Sequence, residues 1–282
     1  MSALAGASVL IVAGFPGAEG KEALGLGDLV RVLAMLPHFG ARRVGWCSPP
    51  HLRPLIADCR EVTEVVPPER LAQAHEGYDV TLNLDRRSLP FAGVVGIDEL
   101  IAGNGPLKRA TFDLPVLIGR RFGAEVPERF SPARSEGNRD IDVGLNWRVP
   151  DAWAIKALPP PLWREIAGLL GVSLTVDWQP DNDDLAAYVA WIKRCRLLIS
   201  SVGLGCHLAM YHGAALIVLA GPTDFAEAHG YEPGTVLWPD SPCVHRPCFA
   251  AAGVDGCGGC MHAHVPTTVA AAARTLLQQG RG

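Results

Sequence analysis

The segment Gly25-Leu26-Gly27-Asp28 follows the first apolar run of the chain and precedes a helix-like pattern. Glycines allow a ligand to approach the backbone, and the start of a helix favours an anion. Asp28 in this position fits a general base that removes a proton from an acceptor hydroxyl. The alternative is that Asp28 only caps the helix. The glycine spacing differs from the G-x-G-x-x-G dinucleotide fingerprint.

A second glycine-rich turn, Gly203-Leu204-Gly205-Cys206-His207, also opens a helix-like pattern, and Gly221-Pro222-Thr223 follows the next apolar run. A turn of this kind suits a phosphate or a ribose. His207 has two interpretations. It is either a hydrogen-bond donor to that ligand or a core histidine bonded to a backbone carbonyl.

Asn146 and Trp147 stand at the end of a predicted strand, and Lys156 follows in a proline-containing loop. Open α/β sheets bind ligands beyond the carboxyl ends of their strands. Lys156 therefore fits a diphosphate ligand, and the alternative is a solvated surface lysine.

Four cysteines near the end of the chain have the spacing of a tetrahedral thiolate site: Cys243, Cys248, Cys257 and Cys260. Zinc is the default metal for four thiolates, and iron fits the same ligands. The alternatives are a reduced cluster without metal and a single disulfide. If a metal binds, we expect it to be structural rather than catalytic.

The elements that must position these residues alternate between apolar runs and helix-like patterns, which is typical of α/β layering. Strands are predicted over residues 8–13, 43–46, 62–66, 79–84, 141–146, 173–177, 197–200 and 215–220. Helices are predicted over about 28–36, 161–170, 184–195, 208–212 and 267–279. The nearly all-apolar strands indicate parallel sheets that are covered on both faces.

The polar stretch 123–140 is rich in Pro, Arg, Ser and Gly and predicts a boundary between two domains, 1–138 and 139–282. The formal net charge of -4 and the absence of a Lys/Arg run argue against nucleic acid and against a basic membrane-surface helix. No run approaches the ~18 apolar residues of a membrane span. The first apolar run lacks a basic flank and is interpreted as a strand rather than a signal peptide, which predicts a cytoplasmic protein.

The segments above, in this order, resemble glycosyltransferase family 9, the heptosyltransferase family. The resemblance covers most of the second half and only residues 8–39 and 78–88 of the first, and each motif alone is weak. Its motifs are Gly27-Asp28-Leu29-Val30, Tyr78 to Ser88, Asn146 to Trp163 with Lys156, Leu204 to Ala209 with Gly221-Pro222-Thr223, and Arg246-Pro247-Cys248 with Cys260-Met261.

The resemblance implies a GT-B fold, with two Rossmann-like domains facing a central cleft, an amino-terminal acceptor side and a carboxyl-terminal donor side. It implies inverting transfer of a heptose-like sugar from a nucleotide diphosphate sugar, typically ADP-linked, to a hydroxyl of a glycan, a protein or a small molecule. No divalent metal is needed for that chemistry, although some relatives have an iron-binding cysteine motif.

The resemblance also assigns roles to residues. Asp28 is the base, and Lys156 neutralises the charge that develops on the leaving diphosphate. The nucleotide is held by residues of the glycine-rich turns and strand ends: Gly27, Asn146, Trp147, Ser201, Gly203, Leu204, Gly205, His207, Gly221, Pro222 and Thr223.

Val202 stands where the family has an aspartate. If that aspartate helps to hold the nucleotide ribose, either Ser201 or a backbone group substitutes for it, or the donor preference has changed, or the activity is weak. Val202 therefore favours one alternative function, a sugar-nucleotide-binding protein without turnover. A further alternative is a nucleotide-sugar epimerase or hydrolase on a similar fold.

Overall fold

The computed structural model of the protein describes residues 3–15, 25–85, 89–102, 114–126, 138–222, 234–241 and 259–280. The chain divides into two compact units, Met1–Ala133 and Arg134–Gly282. Each unit is built around its own five-stranded sheet of parallel strands.

The sheet of the first unit consists of β1 (Ser8–Val12), β2 (Arg43–Cys47), β3 (Glu64–Val65), β4 (Val80–Asn83) and β5 (Val94–Gly96). Its strand order is β3-β2-β1-β4-β5. The helices are α1 (Leu26–Met35), α2 (Arg53–Ile56), α3 (Leu71–His75), α4 (Ile97–Ala102) and α5 (Leu114–Phe122).

The sheet of the second unit consists of β6 (Ile141–Asn146), β7 (Val176–Trp178), β8 (Cys195–Ser201), β9 (Ala215–Leu219) and β10 (Gly234–Leu237). Its strand order is β10-β9-β8-β6-β7. The helices are α6 (Pro160–Gly171), α7 (Leu185–Arg194), α8 (Leu204–Tyr211) and α9 (Pro266–Gln279). Short 3-10 helices span Asp151–Lys156 and Gly259–Ala263.

Both sheets contain the buried apolar strands that are typical of parallel sheets. All five residues of β1 and all five residues of β9 are buried, as expected for strands covered on both faces. In the second unit, α6 and α9 cover one face of the sheet. Their buried side chains there include Trp163, Ile166 and Leu170 from α6 and Val269, Ala273 and Leu277 from α9.

Three predicted boundaries in the second unit are wrong. Residues 173–175 precede β7 because the amides of Ser173 and Leu174 donate to the carbonyl of Leu170 and close α6. Cys195 begins β8 instead of ending α7. Helix α8 begins at Leu204, four residues before the predicted start, and Gly205 lies inside its first turn.

Each sheet reverses its strand order once, and such reversals are where open α/β sheets bind ligands. In the first unit the reversal lies between β1 and β4, where Val12 pairs with Asn83. In the second unit it lies between β6 and β8, where Asn146 pairs with Ser200. Among the helices that the structure describes, none is both long and apolar enough to cross a membrane.

Candidate functional site

The reversal point of the second sheet carries a buried polar cluster. Asn146 ends β6 and is 7% exposed, and Ser200 in β8 is fully buried. The Asn146 side-chain amide donates to Ser200 Oγ at 2.6 Å, and the Tyr188 hydroxyl of α7 donates to Asn146 Oδ1 at 2.7 Å. Burial raises the pKa of Tyr188 far above its usual value, so its hydroxyl stays protonated.

The turn from β8 into α8 lies next to this cluster. The carbonyl of Ser201 accepts hydrogen bonds from Ser200 Oγ at 2.7 Å and from Cys206 Sγ at 3.1 Å. Gly203 is the N-cap of α8, and no described side chain caps the helix there. A helix start leaves its first amides outside the intrahelical hydrogen bonds, and the helix dipole favours an anion at this end.

Lys156 is held against the same turn. Its ammonium lies 3.5 Å from the carbonyl oxygen of Val202 and 4.2 Å from the centre of the Trp153 ring. In the opposite direction, Ser201 Oγ donates to the backbone carbonyl of Lys156 at 2.8 Å. The cation therefore stands beside the start of α8, where it adds to the attraction for an anion.

The remaining predicted residues of the second unit lie at the same edge of the sheet or close to it. Trp147 follows Asn146, and its indole N–H donates to the carbonyl of Gln179 at 3.3 Å. Gly221 and Pro222 follow β9, the strand that pairs with β8. His207 is buried within α8 at 4% exposure. Both interpretations of that histidine stay predictions.

Gly205 is packed where a larger residue would not fit. A Cβ at this position would stand 2.7 Å from the Tyr188 hydroxyl and would also overlap the side-chain amide of Asn146. The glycine therefore lets the first turn of α8 approach the polar cluster. Gly221 has a comparable role, because a Cβ there would overlap the sulfur of Met261.

Val202 is 6% exposed and brings no carboxylate to this turn. The single proton of the Ser201 hydroxyl is directed to the Lys156 carbonyl, so Ser201 can offer a ribose only a hydrogen-bond acceptor. A backbone group of the turn is the other candidate for the ribose contact that the sequence resemblance predicts at this position.

Asp28 occupies the first turn of α1 in the first unit, with Gly27 directly before it. The N-cap is Gly25, and no described side chain caps this helix, so the alternative that Asp28 is the cap is wrong. Asp28 Oδ1 accepts a hydrogen bond from the buried guanidinium of Arg31 at 3.3 Å. The Asp28 side chain is 25% exposed, so solvent or a ligand can reach the carboxylate.

Two residues of these reversal points were not predicted from the sequence. Tyr188 lies in the middle of α7 and gives no local signal. Asp85 follows β4, is 2% exposed and accepts hydrogen bonds from the amides of Gly14 and Phe15. A carboxylate directly after a buried strand is the signal that could have identified Asp85.

Thr223, Cys243, Cys248 and Cys257 lie outside the described residues. Cys260 is buried in the 3-10 helix next to Met261. Within the described ranges, no group of three or more His, Cys, Asp or Glu side chains could hold a metal ion. The metal site stays a prediction.

Comparison with known proteins identifies the architecture. No family model and no curated protein matches the chain. The ADP-heptose LPS heptosyltransferase II of E. coli matches with a TM-score of 0.67 at 14% identity, over 98% of this chain and 100% of that chain. The chain has the fold of these glycosyltransferases.

Two further solved structures have the same architecture. A family 9 glycosyltransferase from Veillonella parvula DSM 2008 matches with a TM-score of 0.66 at 14% identity, over 98% of both chains. The iron-containing dodecameric glycosyltransferase TibC from enterotoxigenic E. coli H10407 matches with a TM-score of 0.61 at 14% identity, over 99% of this chain and 78% of TibC. The predicted α/β fold class, GT-B, is confirmed, and the resemblance to family 9 holds at the level of the fold.

Proposed function

We propose that the protein is a glycosyltransferase that transfers a sugar from a nucleoside diphosphate sugar to an acceptor hydroxyl. The observation that carries the proposal is the position of the Lys156 ammonium, 3.5 Å from the Val202 carbonyl and beside the start of α8. The positive charge of Lys156 would attract a diphosphate at this place, and the diphosphate would accept hydrogen bonds from the first amides of the helix. The fold shared with the E. coli ADP-heptose heptosyltransferase supports an ADP-linked, heptose-like donor.

In this proposal the second unit binds the donor and releases the diphosphate. Charge develops on the diphosphate oxygen as the bond to the anomeric carbon breaks, and Lys156 stabilises that charge without a divalent metal. The strand end at Asn146, the turn from Ser201 to Gly205 and the segment Gly221-Pro222 surround the nucleotide.

The first unit supplies the base. The Asp28 carboxylate removes a proton from the acceptor hydroxyl, which attacks the anomeric carbon on the face opposite the diphosphate and inverts its configuration. Arg31 holds one oxygen of that carboxylate at 3.3 Å, which fixes the orientation of the base.

A second candidate function, a sugar-nucleotide-binding protein without turnover, is favoured by one observation. The buried Val202 removes the carboxylate that the family places at this turn. A binding protein would retain affinity for the nucleotide and would release no diphosphate.

Incubation with ADP-, GDP- and UDP-linked sugars tests the proposal. We expect a thermal shift with one nucleotide class and slow release of the nucleoside diphosphate, which an acceptor accelerates. Binding without release favours the second candidate. A changed or hydrolysed sugar in a donor-only incubation identifies an epimerase or a hydrolase instead, and binding to none of the donors contradicts the proposal.

A further inference from the structure

We propose that a hydrogen-bond network that links Tyr188 through Asn146 and Ser200 to Ser201, whose own hydroxyl binds the backbone of Lys156, positions the Lys156 ammonium, and that Tyr188 and Ser201 are its positioning residues. The effect on the donor rests on the proposed function, whereas the effect on Lys156 itself rests on the geometry alone. Tyr188 and Lys156 lie 32 positions apart in the chain. The hydrogen bonds between them pass through Asn146, Ser200 and Ser201.

The first part of the hydrogen-bond network joins α7 to the two central strands of the second sheet, β6 and β8. Tyr188 donates to Asn146 at 2.7 Å, Asn146 donates to Ser200 at 2.6 Å, and Ser200 donates to the Ser201 carbonyl at 2.7 Å. A serine hydroxyl has one proton, and Ser200 donates it to the Ser201 carbonyl, so Ser200 can only accept from Asn146. Tyr188 holds the Asn146 side chain in place, and Asn146 in turn holds Ser200 against the turn.

The second part of the hydrogen-bond network joins the β8–α8 turn to the 3-10 helix that ends at Lys156. Ser201 Oγ donates to the Lys156 carbonyl at 2.8 Å, and the Lys156 ammonium lies 3.5 Å from the next carbonyl along, that of Val202. The two contacts hold the lysine at its backbone and at its charged end. The Trp153 ring, whose centre is 4.2 Å from the ammonium, provides a third contact.

Holding the side chain in place before a ligand binds matters for a lysine in particular. Its ammonium is a compact charge on a flexible stem, and ordering that stem when a ligand binds costs affinity. A turn that already binds the backbone of the lysine and its ammonium lowers this cost. Buried networks in which each member is satisfied are also rigid, so the position is maintained without a ligand.

The test uses the reactivity of Lys156 in the complete protein without any ligand. The variants Tyr188→Phe and Ser201→Ala each remove one hydroxyl from the hydrogen-bond network. Ser201→Thr retains the hydroxyl at position 201. Acetylation by an acylating reagent is followed for Lys156 by mass spectrometry, with the half-buried Lys193 as the internal reference. Tyr78→Phe is the matched control, because it removes a hydroxyl that donates to Glu64 in the other unit.

Loss of one buried hydrogen bond corresponds to about a fivefold change in the equilibrium between the held and the released lysine. We expect Lys156 to react about fivefold faster in Tyr188→Phe and Ser201→Ala, and at the wild-type rate in Ser201→Thr and Tyr78→Phe. Lys193 should be unchanged throughout. A Lys156 rate that stays at the wild-type value in both Tyr188→Phe and Ser201→Ala overturns the proposal. Tyr188→Phe removes only one oxygen atom and keeps the ring, so the acetylation rate of this variant decides the question if Ser201→Ala fails to fold.

A second arm measures ADP binding by calorimetry. Tyr188→Phe and Ser201→Ala should each weaken ADP binding about fivefold, and Tyr188→Phe should have no further effect in a Lys156→Ala background, because it acts through the lysine. Additive losses would mean that Tyr188 acts by another route and would contradict the positioning role. If wild type does not bind ADP, the proposed donor is wrong, while the acetylation rates still decide the role of Tyr188 and Ser201.

Discussion

Asp85 accepts a hydrogen bond from the backbone amide of Gly14 at 2.8 Å, across the point where the first sheet reverses its strand order. Asp85 follows β4, and Gly14 follows β1 with a positive φ of 86°. The second carboxylate oxygen accepts from the Phe15 amide at 3.2 Å. One buried carboxylate thus ties the ends of two neighbouring strands together and fixes the course of the chain that leaves β1.

Replacing Asp85 by Asn tests this connection. An amide keeps one acceptor oxygen but places an NH₂ group where the second acceptor stood, and it removes the charge that strengthens both bonds. Hydrogen bonds to a buried charged group contribute about 1.5–3 kcal/mol, so we expect Asp85→Asn to lower the free energy of unfolding by about 2 kcal/mol. Urea denaturation measures this loss. The exposed Asp183, paired with Arg148 at 3.1 Å, provides the same substitution as a control and should leave the urea midpoint unchanged.

The strands that are apolar throughout could be predicted from the sequence. The predictions of β1 and β9 are confirmed. Each strand contains an uninterrupted apolar run, and all five residues of each strand are buried. Strands β5 and β10 were missed. Strand β5 is only three residues long, and all four residues of β10 are half-buried at the sheet edge, so neither has the signature of a covered strand.

The candidate site was predicted in part for the same physical reason. Asn146 and Ser201 could be found because they stand at the ends of apolar strands, and Gly203 because it belongs to a glycine-rich turn before a helix. Tyr188 could not be found, because its partner Asn146 lies 42 positions earlier in the chain and only the fold brings the two together. The choice between a capping residue and a base at Asp28 also needed the structure, which shows that Gly25 and not Asp28 is the N-cap of α1.

Gly205 provides a prediction about close packing. In the Gly205→Ala variant the new Cβ would stand 2.7 Å from the Tyr188 hydroxyl, so the polar cluster or the start of α8 must shift. Forcing an extra carbon into a packed region costs about 1–3 kcal/mol, and we expect a loss of unfolding free energy in that range. Gly168 in α6 is the control, because among the described residues no heavy atom outside its own helix and neighbours would lie within 4 Å of a Cβ at that position. Gly168→Ala should stabilise the protein by about 0.5–1 kcal/mol, and equal effects of the two substitutions would contradict the packing argument.

Glu64 predicts a pH dependence of stability. The hydrogen bond from Arg43, and then the one from Tyr78, lower the pKa of Glu64 from its ordinary value of 4.5. A carboxyl group with a lowered pKa in the folded state stabilises the protein above 4.5, and this contribution disappears as the pH falls below that value. Wild type should therefore be more stable than Glu64→Gln at about pH 7, and the difference should shrink steadily below pH 4.5. Urea midpoints measured for both proteins at each pH give the difference directly, and a difference that is constant with pH contradicts the prediction.

The cysteine cluster predicts a bound metal. Cys260 is buried beside Met261, and the spacing of the four cysteines predicts that the other three join it in a tetrahedral thiolate set. Elemental analysis of protein purified without a histidine tag should find about one zinc or iron ion per chain. Cys260→Ser should lower that content. A metal content near zero in wild type would exclude the site.

Asp28 provides the test that separates chemistry from donor binding. Asp28→Asn keeps the size of the side chain and an oxygen for Arg31, but an amide cannot take the proton of the acceptor hydroxyl. General base catalysis contributes about 10²–10⁴-fold, so we expect transfer to fall at least a hundredfold. Affinity for ADP should remain at the wild-type value, because the proposed donor site lies in the other unit. Asp98 also stands in the first turn of a helix of the first unit, α4, and Asp98→Asn should leave transfer unchanged. Unchanged turnover in Asp28→Asn would remove this carboxylate from the mechanism, whereas a parallel loss of ADP affinity would assign it to binding.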